Sequence, residues 1–264
     1  MRSPNGMTIA SPNTSIVCSN RLPPGKTGRA ITNDLTHDLG VAEDTIRKNF
    51  QELSAKGLVR RIHGGVLRIE SSVLNYNERI ITNTSVKEAL AKEATGLVSD
   101  KHVLYIDAGT TNLKLTEVLP KDYSGTIITN SPSTALSALN NLPKAKVYII
   151  GGELDPITQI IKGTGAIKQI QELNIECCIL GVSSLSPENG ITFPSFGEAI
   201  LKKELVNHSN QIIVLANKEK LGSVATFFAC EISDIDYLVT NENDETIIKS
   251  YIEKGVKVIV QNTI

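Results

Sequence analysis

A loop of small and hydroxyl-bearing residues follows an apolar stretch of the sequence and could bind a phosphate group. The loop consists of Asp107, Ala108, Gly109, Thr110, Thr111 and Asn112. If it joins a strand to a helix, Gly109 leaves room for a ligand, and backbone N–H groups at the helix start point towards it. The two threonine hydroxyls add further donors. The same residue types also serve as ordinary helix caps with buried hydroxyls, and that alternative stays open.

Two further loops and three charged side chains are candidates for the same site. The loop residues follow two other apolar stretches and are Thr129, Asn130, Ser131, Gly151, Gly152 and Glu153. Ligands of an open parallel sheet bind outside the carboxyl ends of the strands, so these loops should converge with residues 107–112. Glu198 and Lys202, one helical turn apart, offer a carboxylate for sugar hydroxyls and an ammonium for phosphate, unless they form an exposed salt bridge. Lys220 could supply a second ammonium.

A second set of candidate residues, nearer the amino end, is suited to DNA. Thr45, Arg47 and Lys48 lie on one face of a predicted amphipathic helix, opposite its apolar residues. Their size and charge suit a helix that enters the major groove. A hairpin is predicted next, and its candidate DNA contacts are Arg60, Arg61, His63, Gly64 and Gly65. A basic face that is merely solvated is the alternative, since charge runs often have no binding role.

Composition and charge restrict the function classes. Residues 1–80 carry a net charge of +4 and residues 81–264 a net charge of −5, which is consistent with a nucleic-acid module joined to another domain. No apolar run is long enough for a membrane span and no signal peptide is evident, so we expect a cytoplasmic protein with no membrane partner. The four cysteines and four histidines have no disulfide or metal spacing, so we expect no metal and no cofactor.

The elements that would position the basic residues occur in the order helix, turn, helix, hairpin, which is the order of a winged helix-turn-helix. Residues 1–33 are predicted to be irregular because prolines and glycines interrupt every period. Residues 34–69 form the winged helix-turn-helix, with the second helix at about 42–56. Residues 70–84 are predicted to be a polar linker, and residues 85–264 the effector-binding domain.

The second domain is predicted to be α/β with a mostly parallel sheet. Short runs of Val, Ile and Leu alternate with helical stretches, as in strands that are buried on both faces of a parallel sheet. The predicted strands are 102–106, 125–129, 146–150, 176–182, 211–216, 236–240 and 256–260.

The ordered motifs resemble the DeoR/GlpR family of bacterial transcriptional regulators over about residues 34–260. The runs 38–48 and 57–65 resemble the helix-turn-helix signature of that family. The motifs that resemble its effector domain are Glu78-Arg79, Lys87, residues 107–112, 129–131 and 151–153, and the helix with Glu198 and Lys202. The resemblance implies a repressor of sugar-metabolism genes that a phosphorylated sugar releases. It also implies an effector domain with the fold of ribose-5-phosphate isomerase and coenzyme A transferases.

The leading functional interpretation is therefore a sequence-specific regulator of carbohydrate metabolism. Its expected partners are double-stranded operator DNA, a phosphorylated sugar and further copies of the chain in a dimer or tetramer. A sugar-phosphate isomerase that uses the same loop is the first alternative. Ser183 and Ser186, where many family members have acids, count against turnover. A sensor that no longer binds DNA is the second alternative, because residues 1–33 do not resemble the long helix with which the family begins.

Overall fold

The computed structural model describes residues 29–55, 59–62, 64–68, 76–98, 100 and 102–261. These residues form two compact units, and the boundary between the units falls in the gap at 69–75. Among the residues described, no helix is both long and apolar enough to cross a bilayer.

The smaller unit is a winged helix-turn-helix, as the sequence predicts. Its elements are β1 (Arg29–Ile31), α1 (Thr32–Leu39), α2 (Glu43–Ala55), β2 (Val59–Ile62) and β3 (Gly65–Arg68). The strands form an antiparallel sheet in the order β1-β3-β2.

The predicted boundary at residue 33 is wrong. The prediction assigned residues 1–33 to an irregular segment, but β1 pairs with β3 and α1 begins at Thr32. A strand of three residues is too short to show a period of two, which is why the sequence pattern missed it. Residues 1–28 lie outside the described part of the chain.

A small core holds this unit together. Leu35 of α1, Ile46 and Phe50 of α2, and Val66 of β3 are buried. The backbone amide and the hydroxyl of Thr32 both donate to the carbonyl of Gly64, at 2.9 and 3.1 Å, and so join the start of α1 to the wing. The apolar side of α2 is therefore fixed, and its opposite side is left for contact with other molecules.

The larger unit is the predicted α/β domain. Its helices are α3 (Tyr76–Ile81), α4 (Thr84–Val98), α5 (Asn112–Val118), α6 (Pro132–Asn141), α7 (Thr164–Gln171), α8 (Phe196–Asn207) and α9 (Glu245–Ile252). The strands of its main sheet are β4 (Val103–Ile106), β5 (Thr126–Thr129), β6 (Lys146–Ile149), β9 (Cys177–Leu180), β12 (Ile212–Ala216), β14 (Tyr237–Thr240) and β15 (Lys257–Val260). The strands outside the main sheet are β7 (Glu153–Leu154), β8 (Ile161–Lys162), β10 (Ser184–Ser186), β11 (Gly190–Phe193) and β13 (Phe227–Cys230).

The main sheet is entirely parallel, in the order β15-β14-β12-β9-β4-β5-β6. Each of its seven strands falls within a predicted strand, so this part of the prediction is confirmed. Both faces of the sheet are covered, because Tyr105 of β4 belongs to one apolar core and its neighbours Leu104 and Ile106 belong to another. Burial on both faces explains why the strands are continuously apolar.

The predicted linker over residues 70–84 is only partly correct. The structure has α3 within this segment, and α4 begins at its last residue, Thr84. Tyr76 is buried, and its amide donates to the carbonyl of Ile157 at 3.0 Å. The first helix of the larger unit is therefore attached to the β7–β8 hairpin. Residues 69–75 are not among those described.

Candidate effector and DNA-binding sites

The loop after β4 is organised by the buried carboxylate of Asp107. It accepts hydrogen bonds from the amides of Ala108 and Gly181, at 2.8 and 2.7 Å, and forms an ion pair with the ammonium of Lys202. The side-chain oxygen of Asn130 also accepts from the Ala108 amide, at 3.0 Å. The ends of β4 and β9 and the helix α8 therefore meet at one carboxylate, and the end of β5 contacts the adjacent Ala108 amide. The structure thus brings residues 107–112 and 129–131 together.

The next residues of this loop present backbone N–H groups that have no partner. Asn112 anchors the loop, since its side-chain amide donates to the carbonyls of Asp107 and Ile179, each at 3.1 Å. Within the described part of the chain, the amides of Gly109, Thr110 and Thr111 donate to no other group. Thr110 and Thr111 are nearly buried and Gly109 is half-buried. Three adjacent unsatisfied donors at the start of α5 form an arrangement that suits an oxyanion.

The loop after β5 is also ordered by its own side chains. Ser131 is the N-cap of α6, and its hydroxyl accepts from the amide of Thr134 at 3.2 Å. The hydroxyl of Thr129 accepts from the amide of Ser131 at 3.1 Å. Thr129, Asn130 and Ser131 are buried, so in this structure they support the loop through hydrogen bonds and are not exposed at its surface.

Lys202 does not lie where the sequence analysis placed it. We expected its ammonium to contact phosphate, or to pair with Glu198 on an exposed helix face. The residue is instead fully buried and pairs with Asp107, which is also fully buried. The charge of Lys202 is therefore already balanced, and the residue stabilises the loop from behind. Lys220 is partly buried, and its ammonium donates to the carbonyl of Val182 at 2.6 Å.

Glu198 faces a cleft beside this loop. The cleft is lined by Asp155, Thr158, Ile160, Lys162, Ser195, Glu198 and Leu201. Burial raises the pKa of Glu198, and Asp107 adds to this shift while Lys202 opposes it. A partly desolvated carboxylate of this kind accepts hydrogen bonds from hydroxyl groups.

Sequence reasoning missed the ion pair between Asp155 and Lys162, whose side chains lie 2.5 Å apart on this cleft. Burial opposes ionisation of Asp155, but the bond from Lys162 and those from the amides of Thr158 and Ile157 hold its pKa well below the usual range. Asp155 follows the last residue of β7, and Lys162 is the last residue of β8. Strands of two residues leave no period in the sequence, so no pattern could have paired them.

Cationic groups of α3 and α4 lie near the cleft and the loop. Arg79 donates to the carbonyl of Thr158 at 3.4 Å; burial lowers the pKa of its guanidinium, while Glu198 raises it. The buried ammonium of Lys87 donates to the carbonyls of Arg79 and Thr82. Burial lowers the pKa of Lys87 to about 8, and the positive charges of Arg79 and Lys114 contribute to the shift.

The third predicted loop contributes less. Gly151, Gly152 and Glu153 are exposed, and the Gly151 amide donates to the side chain of Gln169 at 3.0 Å. No hydrogen bond or ion pair joins Glu153 to residues 107–112 in the described structure. Among the residues described, no group of three or more histidine, cysteine, aspartate or glutamate side chains is arranged to hold a metal ion.

The candidate DNA-binding residues of α2 lie on its outer side. Arg47 and Lys48 are exposed and Thr45 is half-buried, whereas Ile46 is fully buried. The guanidinium of Arg47 donates through Nε and Nη2 to one carboxylate oxygen of Glu43, at 3.0 and 2.7 Å. These positions agree with the amphipathic helix that the sequence predicts.

The wing is described mainly through its backbone. Arg60 and Arg61 lie in β2 opposite Leu67 and Val66 of β3, and their side chains are outside the description, as is all of His63. Gly64 is exposed at the turn, and its positive φ of 76° explains why glycine suits this position. Gly65 was also a candidate DNA contact, but it is buried in β3 and pairs with Ile62.

A winged helix-turn-helix joined to an α/β domain is the organisation of a DNA-binding protein with a separate sensor domain. Comparison with known proteins gives the family. Residues 25–72 match the DeoR-like helix-turn-helix domain, and residues 82–242 match the DeoR C-terminal sensor domain. The chain belongs to the DeoR family of helix-turn-helix transcriptional regulators.

Individual relatives match over most of their length. The HTH-type transcriptional regulator GlpR of Haloferax volcanii is 30% identical over 237 residues, which cover 88% of this chain and 91% of the relative. The lactose phosphotransferase system repressor of Staphylococcus epidermidis is 29% identical over 240 residues, covering 86% of this chain and 93% of the relative. Among solved structures, ribose 5-phosphate isomerase A of Methanocaldococcus jannaschii is 17% identical, with a TM-score of 0.39 over 53% of this chain and 55% of that one.

Proposed function

We propose that this regulator represses genes of sugar metabolism and leaves its operator when a phosphorylated sugar binds. DNA binding is assigned to residues 29–68 and effector binding to residues 76–261. The name of the Staphylococcus epidermidis relative, a repressor of a lactose phosphotransferase system, supports both the repression and the link to phosphorylated sugars.

The observation that carries the effector assignment is the row of unpartnered amides at Gly109, Thr110 and Thr111. Unsatisfied N–H groups at a helix start are a favourable place for a phosphate, because the donors and the helix dipole act together. Asp107 holds the loop open through three hydrogen-bonding partners. In this proposal the phosphate binds the amides and the sugar hydroxyls extend towards Glu198 in the cleft.

We assign the contact with DNA to the outer face of α2, with Thr45, Arg47 and Lys48, and to the wing around Gly64. A recognition helix reads only one half-site, so two copies of the chain related by a two-fold axis would read half-sites about 34 Å apart. The operator should therefore contain repeated or inverted half-sites. The protein is proposed to act in the cytoplasm, where both DNA and sugar phosphates are present.

The proposal includes no turnover. An isomerase needs a carboxylate that is free to remove a proton from the sugar. Asp107 is occupied by two amides and an ammonium, so it is not available as such a base, and Glu198 is the carboxylate of the cleft that the assay below would implicate. Release of isomerised product from pentose or hexose phosphates would instead favour the enzyme interpretation.

A thermal-shift panel on the full chain tests the effector assignment. The panel contains ribose 5-phosphate, glucose 6-phosphate, fructose 1-phosphate and their unphosphorylated counterparts. A ligand at 100 times its dissociation constant should stabilise the folded state by about 2.7 kcal/mol. We expect at least one phosphorylated sugar to act, and its unphosphorylated counterpart to have no effect. Equal shifts from both forms would contradict the phosphate assignment.

A further inference from the structure

The ion pair at the start of the recognition helix has no role in the function proposed above. Glu43 is the first residue of α2, and Arg47 lies one turn later. Both side chains are exposed, 49% for Glu43 and 63% for Arg47, so the pair contributes little to stability. Its geometry is nevertheless specific, since two guanidinium nitrogens share one carboxylate oxygen.

Glu43 binds one edge of the Arg47 guanidinium, and the N–H donors of the other edge are left for a further partner. Nε and Nη2 donate to Glu43, so the opposite edge, formed by Nη1 and the second hydrogen of Nη2, remains free. Two parallel donors on one edge match O6 and N7 of guanine, which is the commonest specific contact of arginine in the major groove. Fixing the long side chain beforehand removes part of the entropy that binding would otherwise cost.

We propose that Glu43 is a positioning residue, which holds Arg47 so that its free edge faces a guanine in the operator. This inference rests on the proposed recognition role of α2 and adds a specificity determinant to it.

Asp44 provides a matched control. It is the next residue of α2, is equally acidic and exposed, and lies in the same first turn. Within the described residues, its side chain has no hydrogen bond or ion pair. If Glu43 acted only through its charge or through the helix dipole, removing either carboxylate would have the same effect on DNA binding.

The test begins with a duplex that the full wild-type chain selects from a randomised DNA library. Dissociation constants for this duplex and for random-sequence DNA give a specificity ratio for each variant. We expect Asp44→Asn to strengthen binding to both DNAs and leave the ratio unchanged. We expect Glu43→Gln to strengthen binding to random DNA but lower the ratio roughly tenfold, since one two-point base contact is weakened.

Two further variants separate positioning from a structural effect. Arg47→Lys keeps the positive charge but loses the pair of parallel guanidinium donors. Its specificity ratio should therefore fall as far as that of Glu43→Gln. In an Arg47→Ala background, Glu43→Gln should cause no further loss, because its effect passes through Arg47. Circular dichroism checks that each variant is folded.

The outcomes also distinguish this inference from the proposed function. Equal ratios for Glu43→Gln and Asp44→Asn would overturn the positioning role alone. If the wild type selects no preferred duplex, or if Arg47→Ala keeps the wild-type ratio, the recognition role of α2 fails, and the inference fails with it.

Discussion

The two sites of this protein display their charged groups in opposite ways. In the recognition helix the charged side chains are exposed, and Arg47 keeps 63% of its side-chain surface. In the loop after β4 the charged side chains are fully buried, and the groups left without partners are backbone amides. In the first site the side chains themselves are exposed to a partner, whereas in the second they hold the backbone in place.

This comparison predicts that loss of the buried ion pair lowers the stability of the fold, and that any effect on ligand binding follows from that loss. We expect Lys202→Met to lower the free energy of unfolding of the larger unit by about 3–5 kcal/mol, because it leaves the Asp107 carboxylate buried and uncompensated. Urea denaturation of the full chain measures the change.

A double variant provides the control for this prediction. Asp107→Asn combined with Lys202→Met removes both charges and should recover part of the lost stability. If Lys202→Met were as stable as the wild type, Lys202 would not be a structural residue, and a direct role in binding phosphate would be favoured again.

The exposed site should show the reverse behaviour. We expect Arg47→Ala to weaken operator binding by about 1–3 kcal/mol without changing the unfolding transition, since its side chain is mostly solvated. Lys48→Ala should weaken binding to all DNA sequences and reduce the dependence of log K on log salt by about one unit. Gel-shift titrations over a range of salt concentrations measure both effects. An unchanged salt slope for Lys48→Ala would argue against a phosphate contact.

A further effect concerns a second buried lysine, Lys87, whose ammonium donates to two carbonyl groups in the described structure. The folded-state pKa of Lys87 is lowered to about 8 from 10.5. Between these values the unfolded chain binds more protons than the folded chain, so the free energy of unfolding should rise with pH from about 8 to 10.5. Lys87→Met should lack this increase. Urea denaturation across that pH range, with Lys87→Met as the reference, detects it, and parallel pH profiles would contradict the lowered pKa.

The main sheet was predictable because burial on both faces leaves a continuous apolar signal in each strand. The small sheet β10-β11-β13 was not, since the buried Ser184, Ser186 and Thr192 interrupt that signal. Helix α3 was missed because six residues with one buried side chain, Tyr76, show no clear helical period.

The site was predictable as a set of loops but not as a set of contacts. Parallel strands place their carboxyl ends at one edge, which is why residues 107–112 and 129–131 could be predicted to meet. The partner of Lys202 lies 95 residues away in sequence, and the spacing from Glu198 indicates only a shared helix face. The ion-pair partner of Lys202 is set by the packing of α8 against the loop. A local sequence pattern does not contain that information.

The attachment of the Asp107 carboxylate to two amides and an ammonium has a consequence for the kinetics of sensing. Contacts within the chain fix the shape of the loop, so a phosphate that binds there would not need to order the chain around itself. The entropy cost of ordering the loop is already met when the chain folds. Under the proposed function, entry of the effector should therefore be limited by diffusion into the cleft and not by ordering of the loop.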